Sequence, residues 1–151
     1  MKEDIKKAIV NYLETHRHCT LATVREDGSP QASTVSYVND SLKIYFMTDP
    51  SSAKAKNIEF CPKVALAITE DYLDWDEIKA VQLAGTVEWI ADEAELSQAQ
   101  RMFADKFAQV NKYLDLYGVS IGQIPFLRVS PKIINFLDYS KGFNHWETID
   151  L

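Results

Sequence analysis

Apolar residues at Ile5, Ile9, Tyr12 and Leu13 recur at steps of three and four with lysines between them. That period predicts an amphipathic helix over residues 3–16. The pattern then shortens. Residues 19–24 (CTLATV) are apolar and β-branched, 31–38 (QASTVSYV) alternate in polarity, and 42–48 (LKIYFMT) form a third such run. Asp27-Gly28 supplies the positive φ of a hairpin turn, and Asn39-Asp40-Ser41 marks a second turn. The three runs predict an antiparallel meander. Asp49-Pro50-Ser51-Ser52 ends the third, and a serine there can cap a short helix over 53–60 that Pro62 closes off. Strands are predicted at 63–69 and 77–90, with Gly85 marking a bulge or bend in the longer one.

A second helix is predicted over 92–117, opened by a capping-box pattern at Asp92 and Glu95. It carries a stripe at Leu96, Ala99, Phe103, Phe107, Val110, Leu114 and Tyr117, and Gly118 stands at its C′ position. Two last strands are predicted at 126–129 and 132–137, separated by Ser130-Pro131; the tail from 138 on has aromatics without a period. Strands grouped rather than alternating with helices predict a mainly β, α+β fold. The expected form is an antiparallel split barrel of about six or seven strands with peripheral helices. No repeat or linker interrupts the chain, so residues 1–151 are read as one domain.

Composition narrows the partners. Sixteen basic against 22 acidic residues give a net charge of −6, which disfavours nonspecific contact with nucleic acid or an anionic membrane. No apolar run approaches the ~20 residues that span a bilayer, and the N-terminus is too charged for a signal-peptide core. Cys19 and Cys61 are too few for a disulfide framework. A cytoplasmic protein with reduced thiols is the expectation.

The one locally basic stretch is 51–63. Ser51, Ser52, Lys54 and Lys56 sit where a strand turns into a helix. Amides, hydroxyls and an ammonium there suit an anion, although a solvated, capped helix carries the same residues. Ser33, Thr34 and Ser36 offer hydroxyls to the polar edge of a flat heterocycle, or give a strand one wet face. His16, His18 and Cys19 match no closed zinc spacing, so no metal is expected and Cys19 is read as a small buried hydrophobe. Residues 70–77 (EDYLDWDE) hold five acids, in a solvated loop or a carboxylate pair. Trp75 within it would cover an apolar ligand or a partner subunit. Hydrolase and NTPase motifs are absent.

Several segments, in order, carry a resemblance. They are the strand and Asp-Gly turn from Leu21, then Tyr45-Phe46-Met47-Thr48, Ser52-Ala53-Lys54-Ala55-Lys56-Asn57-Ile58 and Cys61-Pro62-Lys63-Val64-Ala65-Leu66. Gln82-Leu83-Ala84-Gly85-Thr86-Val87-Glu88 and Asp138-Tyr139-Ser140-Lys141-Gly142-Phe143 extend it. Together they resemble the pyridoxamine 5′-phosphate oxidase-like flavoproteins with the FMN-binding split barrel. The resemblance implies a homodimer with one FMN in each of two clefts at the subunit interface. It assigns the isoalloxazine-contacting strand to Ser33, Thr34, Val35, Ser36 and Tyr37, further contacts to Met47 and Thr48, and the phosphate cradle to Ser52 and Lys54. The chain departs from the family's oxidases at Ala32 and Ala53, where they carry arginines, and at Tyr37, where they carry a lysine for the substrate phosphate. Its tail also lacks their arginine-bearing segment. The expected function is therefore an FMN-dependent oxidoreductase acting on another small molecule or electron donor. The alternative is a flavin- or haem-binding protein without turnover, serving electron transfer, storage or sensing. Relatives of this fold also include haem-degrading proteins and users of a deazaflavin coenzyme; His145 in the tail would ligate a haem, although its plainer reading is an exposed tail histidine.

Overall fold

The structure, a computed structural model, describes residues 2–151. In chain order its elements are α1 (Lys2–Thr15), β1 (His18–Val24), β2 (Pro30–Ser36), β3 (Val38–Asp40), β4 (Lys43–Met47), α2 (Ala53–Phe60) and β5 (Lys63–Thr69). There follow β6 (Lys79–Trp89), α3 (Glu93–Lys106), α4 (Val110–Asp115), β7 (Phe126–Asp138) and β8 (Trp146–Asp150). Short 3-10 turns lie at Trp75–Glu77, Ile121–Gln123 and Tyr139–Lys141. The eight strands form one antiparallel sheet in the order β2-β1-β5-β6-β7-β4-β3, with β8 also paired to β7. The thirteen residues of β7 make this possible. One edge takes β6 along its length, and the other takes β4 opposite Phe126–Val129 and β8 opposite Ile133–Leu137.

Alternation on β5 places Val64, Leu66 and Ile68 inside, where they meet Leu21, Ile44, Phe46, Val81, Leu127 and Val129. Helix α1 closes one side of this core with Ile9, Tyr12 and Leu13. Strand β4 has two apolar faces. Ile44 and Phe46 enter the main core, while Tyr45 enters a second cluster with Ala99, Phe103, Phe107 and Phe126 beneath α3. Burying both faces of a strand requires cover on both sides, and the excursion between β6 and β7 supplies it.

The expected meander is not formed. β2 pairs with β1, but the chain leaves the sheet at Tyr37, and β3 pairs with β4 at the opposite end of the strand order. The cause is local. Tyr37 and Val38 are both buried, so the two-residue alternation fails there and one strand becomes two.

The predicted helix over 92–117 is also two helices. The N–H of Phe107 still reaches the Phe103 carbonyl, but its φ of −120° and ψ of 72° turn the chain out of the helix. Its ring packs on Phe103 at 4.7 Å, so burying Phe107 redirects the backbone although the stripe continues. Asp92 caps the Glu95 amide as expected, while the Glu95 carboxylate goes to Arg128 and Tyr45 rather than back to the cap. Ser130-Pro131 does not divide β7. The register shifts between Ala84 and Gly85, so that Gly85 faces Pro131 across a bulge, where a proline is tolerated. The aperiodic tail contributes β8 and the 3-10 turn before it.

Candidate functional site

The turn from β4 into α2 is built by short polar side chains. Asp49 Oδ1 accepts from the Ser51 amide and hydroxyl, both at 2.8 Å, and these bonds hold its carboxyl below the usual carboxylate range. The Ser52 amide donates to the Asp49 carbonyl at 2.9 Å. Ser52 then caps α2: its Oγ accepts from the Ala55 amide at 3.1 Å and lies 3.2 Å from the Thr48 hydroxyl. Since Lys56 donates to the Ser52 carbonyl, the amides of Ala53 and Lys54 are the donors left at the helix end. Asn57, one turn on, fixes the helix to the sheet by donating to Thr23 Oγ1 at 3.1 Å and Gln31 Oε1 at 2.8 Å.

Lys54 is half-buried and forms no ion pair among the described residues. Its charge is felt at the Cys19 thiol, which burial nonetheless pushes up to about 12. Cys19 is thus the inert, buried residue its surroundings predict. Thr48 and Ser52 come together here, Met47 lies beside Thr48 at the cleft, and Lys54 follows in the first turn of α2. Met47 and Thr48 line a cleft of about 460 Å³ whose far wall includes Leu114, Tyr117 and Ile124. The one hydroxyl proton that the Thr48–Ser52 bond leaves free, two helix-end amides and the Lys54 ammonium are donors of the kind a phosphate takes, with one cation where a dianion has two charges.

The strand at 33–37 is placed differently. Val35 and Tyr37 point into the core. The Tyr37 hydroxyl donates to the Leu13 carbonyl at 2.7 Å, and burial raises its pKa. Ser36 faces His18, with Oγ and Nδ1 3.0 Å apart. Ser33 is half-buried opposite Leu21, and Thr34 is exposed opposite Thr20. Alternation puts Ser33 on the inward face with Val35 and Thr34 and Ser36 on the other, so a ligand on the outer side of β2 would meet the hydroxyls of Thr34 and Ser36 and the strand backbone, and not Ser33. The side chains of Val35 and Tyr37 are turned away from it.

His16, His18 and Cys19 do not converge. His16 lies between the Tyr12 carbonyl, 2.7 Å from Nδ1, and Glu70 Oε2, 2.8 Å from Nε2. The Glu70 carboxylate also accepts from Tyr72, whose hydroxyl is 2.9 Å from that of Tyr12. His145 in the tail has Nε2 3.6 Å from Glu147 Oε1. Sequence reasoning missed Lys106, whose Nζ lies 4.2 Å above the Tyr37 ring without a hydrogen-bond partner; burial lowers its pKa to about 8. It also missed Arg128, which pairs with both Glu88 and Glu95. No local signal marks either residue, because their partners lie far away in sequence.

Comparison with known proteins adds four matches. The family model described as pyridoxamine 5′-phosphate oxidase matches residues 5–136. General stress protein 26 of Bacillus subtilis (strain 168) is 33% identical over 70 residues, 46% of this chain; the match spans about half, 49%, of that protein's length. Among solved structures, a conserved hypothetical protein of Mycobacterium tuberculosis superposes with a TM-score of 0.76 at 20% identity, covering 89% of this chain and 85% of that one. A heme binding protein of Mycobacterium smegmatis gives 0.75 at 20% identity, covering 95% of this chain and 57% of that one.

Proposed function

The chain belongs to the pyridoxamine 5′-phosphate oxidase family, and on that premise we propose that it binds FMN and works as an FMN-dependent oxidoreductase on a small molecule other than pyridoxamine phosphate. The observation that carries this reading is the donor set around Ser52 at the start of α2. Thr48 and Ser52 present hydroxyls, the helix end presents the amides of Ala53 and Lys54, and Lys54 adds a full charge that no carboxylate of the described chain neutralises. Bound FMN would supply hydride and electron transfer. The chain's own part is to hold the phosphate, orient the ring with the β2 backbone and the hydroxyls of Thr34 and Ser36, and exclude water beside Met47. Position 37 itself offers a substrate phosphate no cation, since its residue is a buried tyrosine, and the Lys106 ammonium over its ring is buried as well.

The proposed state is a homodimer. Mid-strand, the outward positions of the central strands include a patch of small apolar residues: Ala65, Ala67 and Ala84 are exposed beside half-buried Ala22 and Ile133, with Thr20, Gln82 and Asn135 among them, along a shallow groove of about 340 Å³. A patch of alanines leaves little for water to bind and suits close approach of a second sheet. No helix among the described residues is long and apolar enough to cross a membrane.

The test is a flavin titration. Lys54→Ala is expected to weaken FMN binding by roughly 1.5–3 kcal/mol, about tenfold to a hundredfold, the worth of one charge-assisted contact. Riboflavin, which lacks the phosphate, is expected to bind both proteins equally. Equal losses for both ligands would assign Lys54 to packing, and no loss for either would remove it from the site. The second reading, haem binding without turnover, is favoured by the heme binding protein among the structural neighbours. The absorption spectrum of the loaded protein separates the two, because a Soret band belongs to haem alone.

A further inference from the structure

Lys106 is the last residue of α3, and its side chain turns inward. The ammonium lies 4.2 Å from the centroid of the Tyr37 ring and 5.8 Å from that of Phe107, is shielded from water, and meets no hydrogen-bond partner. The protomer's own residues bury it, so a second subunit would not undo the burial. Ring faces attract a cation but leave its charge unneutralised. A buried cation without a counterion is costly, and an apolar side chain of similar length would fill the same space at less cost. Packing therefore gives no reason for a charge at this position.

Its place in the fold gives one. Tyr37 ends the segment 33–37 that the resemblance assigns to the isoalloxazine. Contacts lead from Lys106 to the outer side of that segment as well: the Phe107 ring is 6.1 Å from the His18 ring, and His18 Nδ1 is 3.0 Å from Ser36 Oγ. The surrounding groups do not cancel the charge. Arg17, in the link to β1, and Glu14, at the end of α1, act on Lys106 in opposite directions. Cys19 of β1 and Tyr37 are neutral, since burial raises the pKa of both, and Asp105 beside Lys106 on α3 has an exposed side chain. Lys106 forms no ion pair among the described residues. Reduction of a flavin adds two electrons and one proton and leaves the ring with a negative charge. On the proposed binding of FMN along β2, we infer that Lys106 sets the redox balance of the site: without touching the flavin, its buried charge favours the reduced ring over the oxidised one. The field crosses protein rather than water and salt, so it reaches further than that of a surface lysine. Lys54 has the other task, since the phosphate it would hold is the same in both redox states.

The test compares the affinities of the full chain for reduced and oxidised FMN, from a titration with oxidised FMN and the midpoint potentials of bound and free flavin against a reference dye. Lys106→Met keeps the length of the side chain and removes its charge; Lys106→Arg keeps the charge. Lys106→Met is expected to lower the ratio of reduced to oxidised affinity about tenfold, the effect of one charge across on the order of 10 Å at an effective dielectric of about 20. A merely structural role would weaken both states alike and leave the ratio unchanged. Burial lowers the Lys106 pKa to about 8, so the charge is present below that pH and lost above it. The wild-type ratio is thus expected to fall toward that of Lys106→Met as pH rises from about 8, and Lys106→Arg to show no such step. If Lys106→Met does not fold, the pH comparison of wild type with Lys106→Arg decides the matter by itself. No flavin binding by wild type would remove the FMN reading and this inference with it. Flavin binding with equal ratios in wild type and Lys106→Met, or a wild-type ratio without the step, would overturn the inference alone and leave the FMN reading standing.

Discussion

A Cβ added at Gly85 would fall against the Ser130 carbonyl oxygen and 2.8 Å from the Pro131 Cα, both backbone atoms of the neighbouring strand. Backbone cannot rotate away as a side chain can. Gly85→Ala is therefore expected to cost about 2–4 kcal/mol, read as a lowered midpoint in urea, because it forces apart the two longest strands. Glu70 makes a prediction of opposite character. Its hydrogen bond from His16 is the main cause that holds its carboxyl below the ordinary range, with Tyr72 second. As pH falls, the unfolded chain takes up this proton first. The contribution to stability is thus present above the unfolded carboxylate pKa and lost as pH drops through the folded one. The melting temperature of wild type is expected to exceed that of Glu70→Gln at neutral pH, and the gap to close as the solution is acidified through the carboxylate range. A gap that stays constant with pH would show that the Glu70 charge plays no part.

Elements differ in how far their own residues decide them. Helix α2 was legible to the residue, because Ser52 caps it and Pro62 forbids its continuation into the next strand. Strand β5 was equally legible from its strict alternation of buried and exposed positions. The break at Phe107 and the joining of β7 across Pro131 were not, since each is decided by a partner distant in sequence: the cluster beneath α3, and Gly85 across the bulge. The same holds at the site. The Ser52 turn was visible because its donors are neighbours in sequence, whereas the inward turn of Val35 and Tyr37 depends on β1 and α1. What holds α2 in register was invisible too. Asn57 is buried and bonds side chains from two strands, so Asn57→Ala is expected to destabilise the fold by about 1–3 kcal/mol in chemical denaturation. Because the helix carries Lys54, FMN affinity is expected to fall with it. Lys54→Ala, by contrast, is expected to spare stability.

For the whole molecule, the proposed homodimer makes a claim about surfaces. Its buried face is expected to include the alanine-rich exterior of β1, β5 and β6. Sedimentation is expected to give a dimer at micromolar concentration, and Ala65→Glu/Ala84→Glu to yield a monomer of unchanged secondary structure. A stable wild-type monomer would remove the shared cleft along with the dimer.

The path of the chain at Tyr37 has a mechanical consequence. The two rims of the sheet, β2 and β3, are successive links with one residue between them. That residue is riveted at two points, its amide to the Arg17 carbonyl at 3.1 Å and its hydroxyl to the Leu13 carbonyl at 2.7 Å. A rolled sheet whose rims came from distant parts of the sequence would gape wherever pairing frayed. Here, at the Tyr37 end, the span from rim to rim is limited by the two steps from Ser36 to Val38, on the order of 7 Å. The barrel is buckled rather than merely curled, and a strain applied to one rim passes directly to the other and to the end of α1.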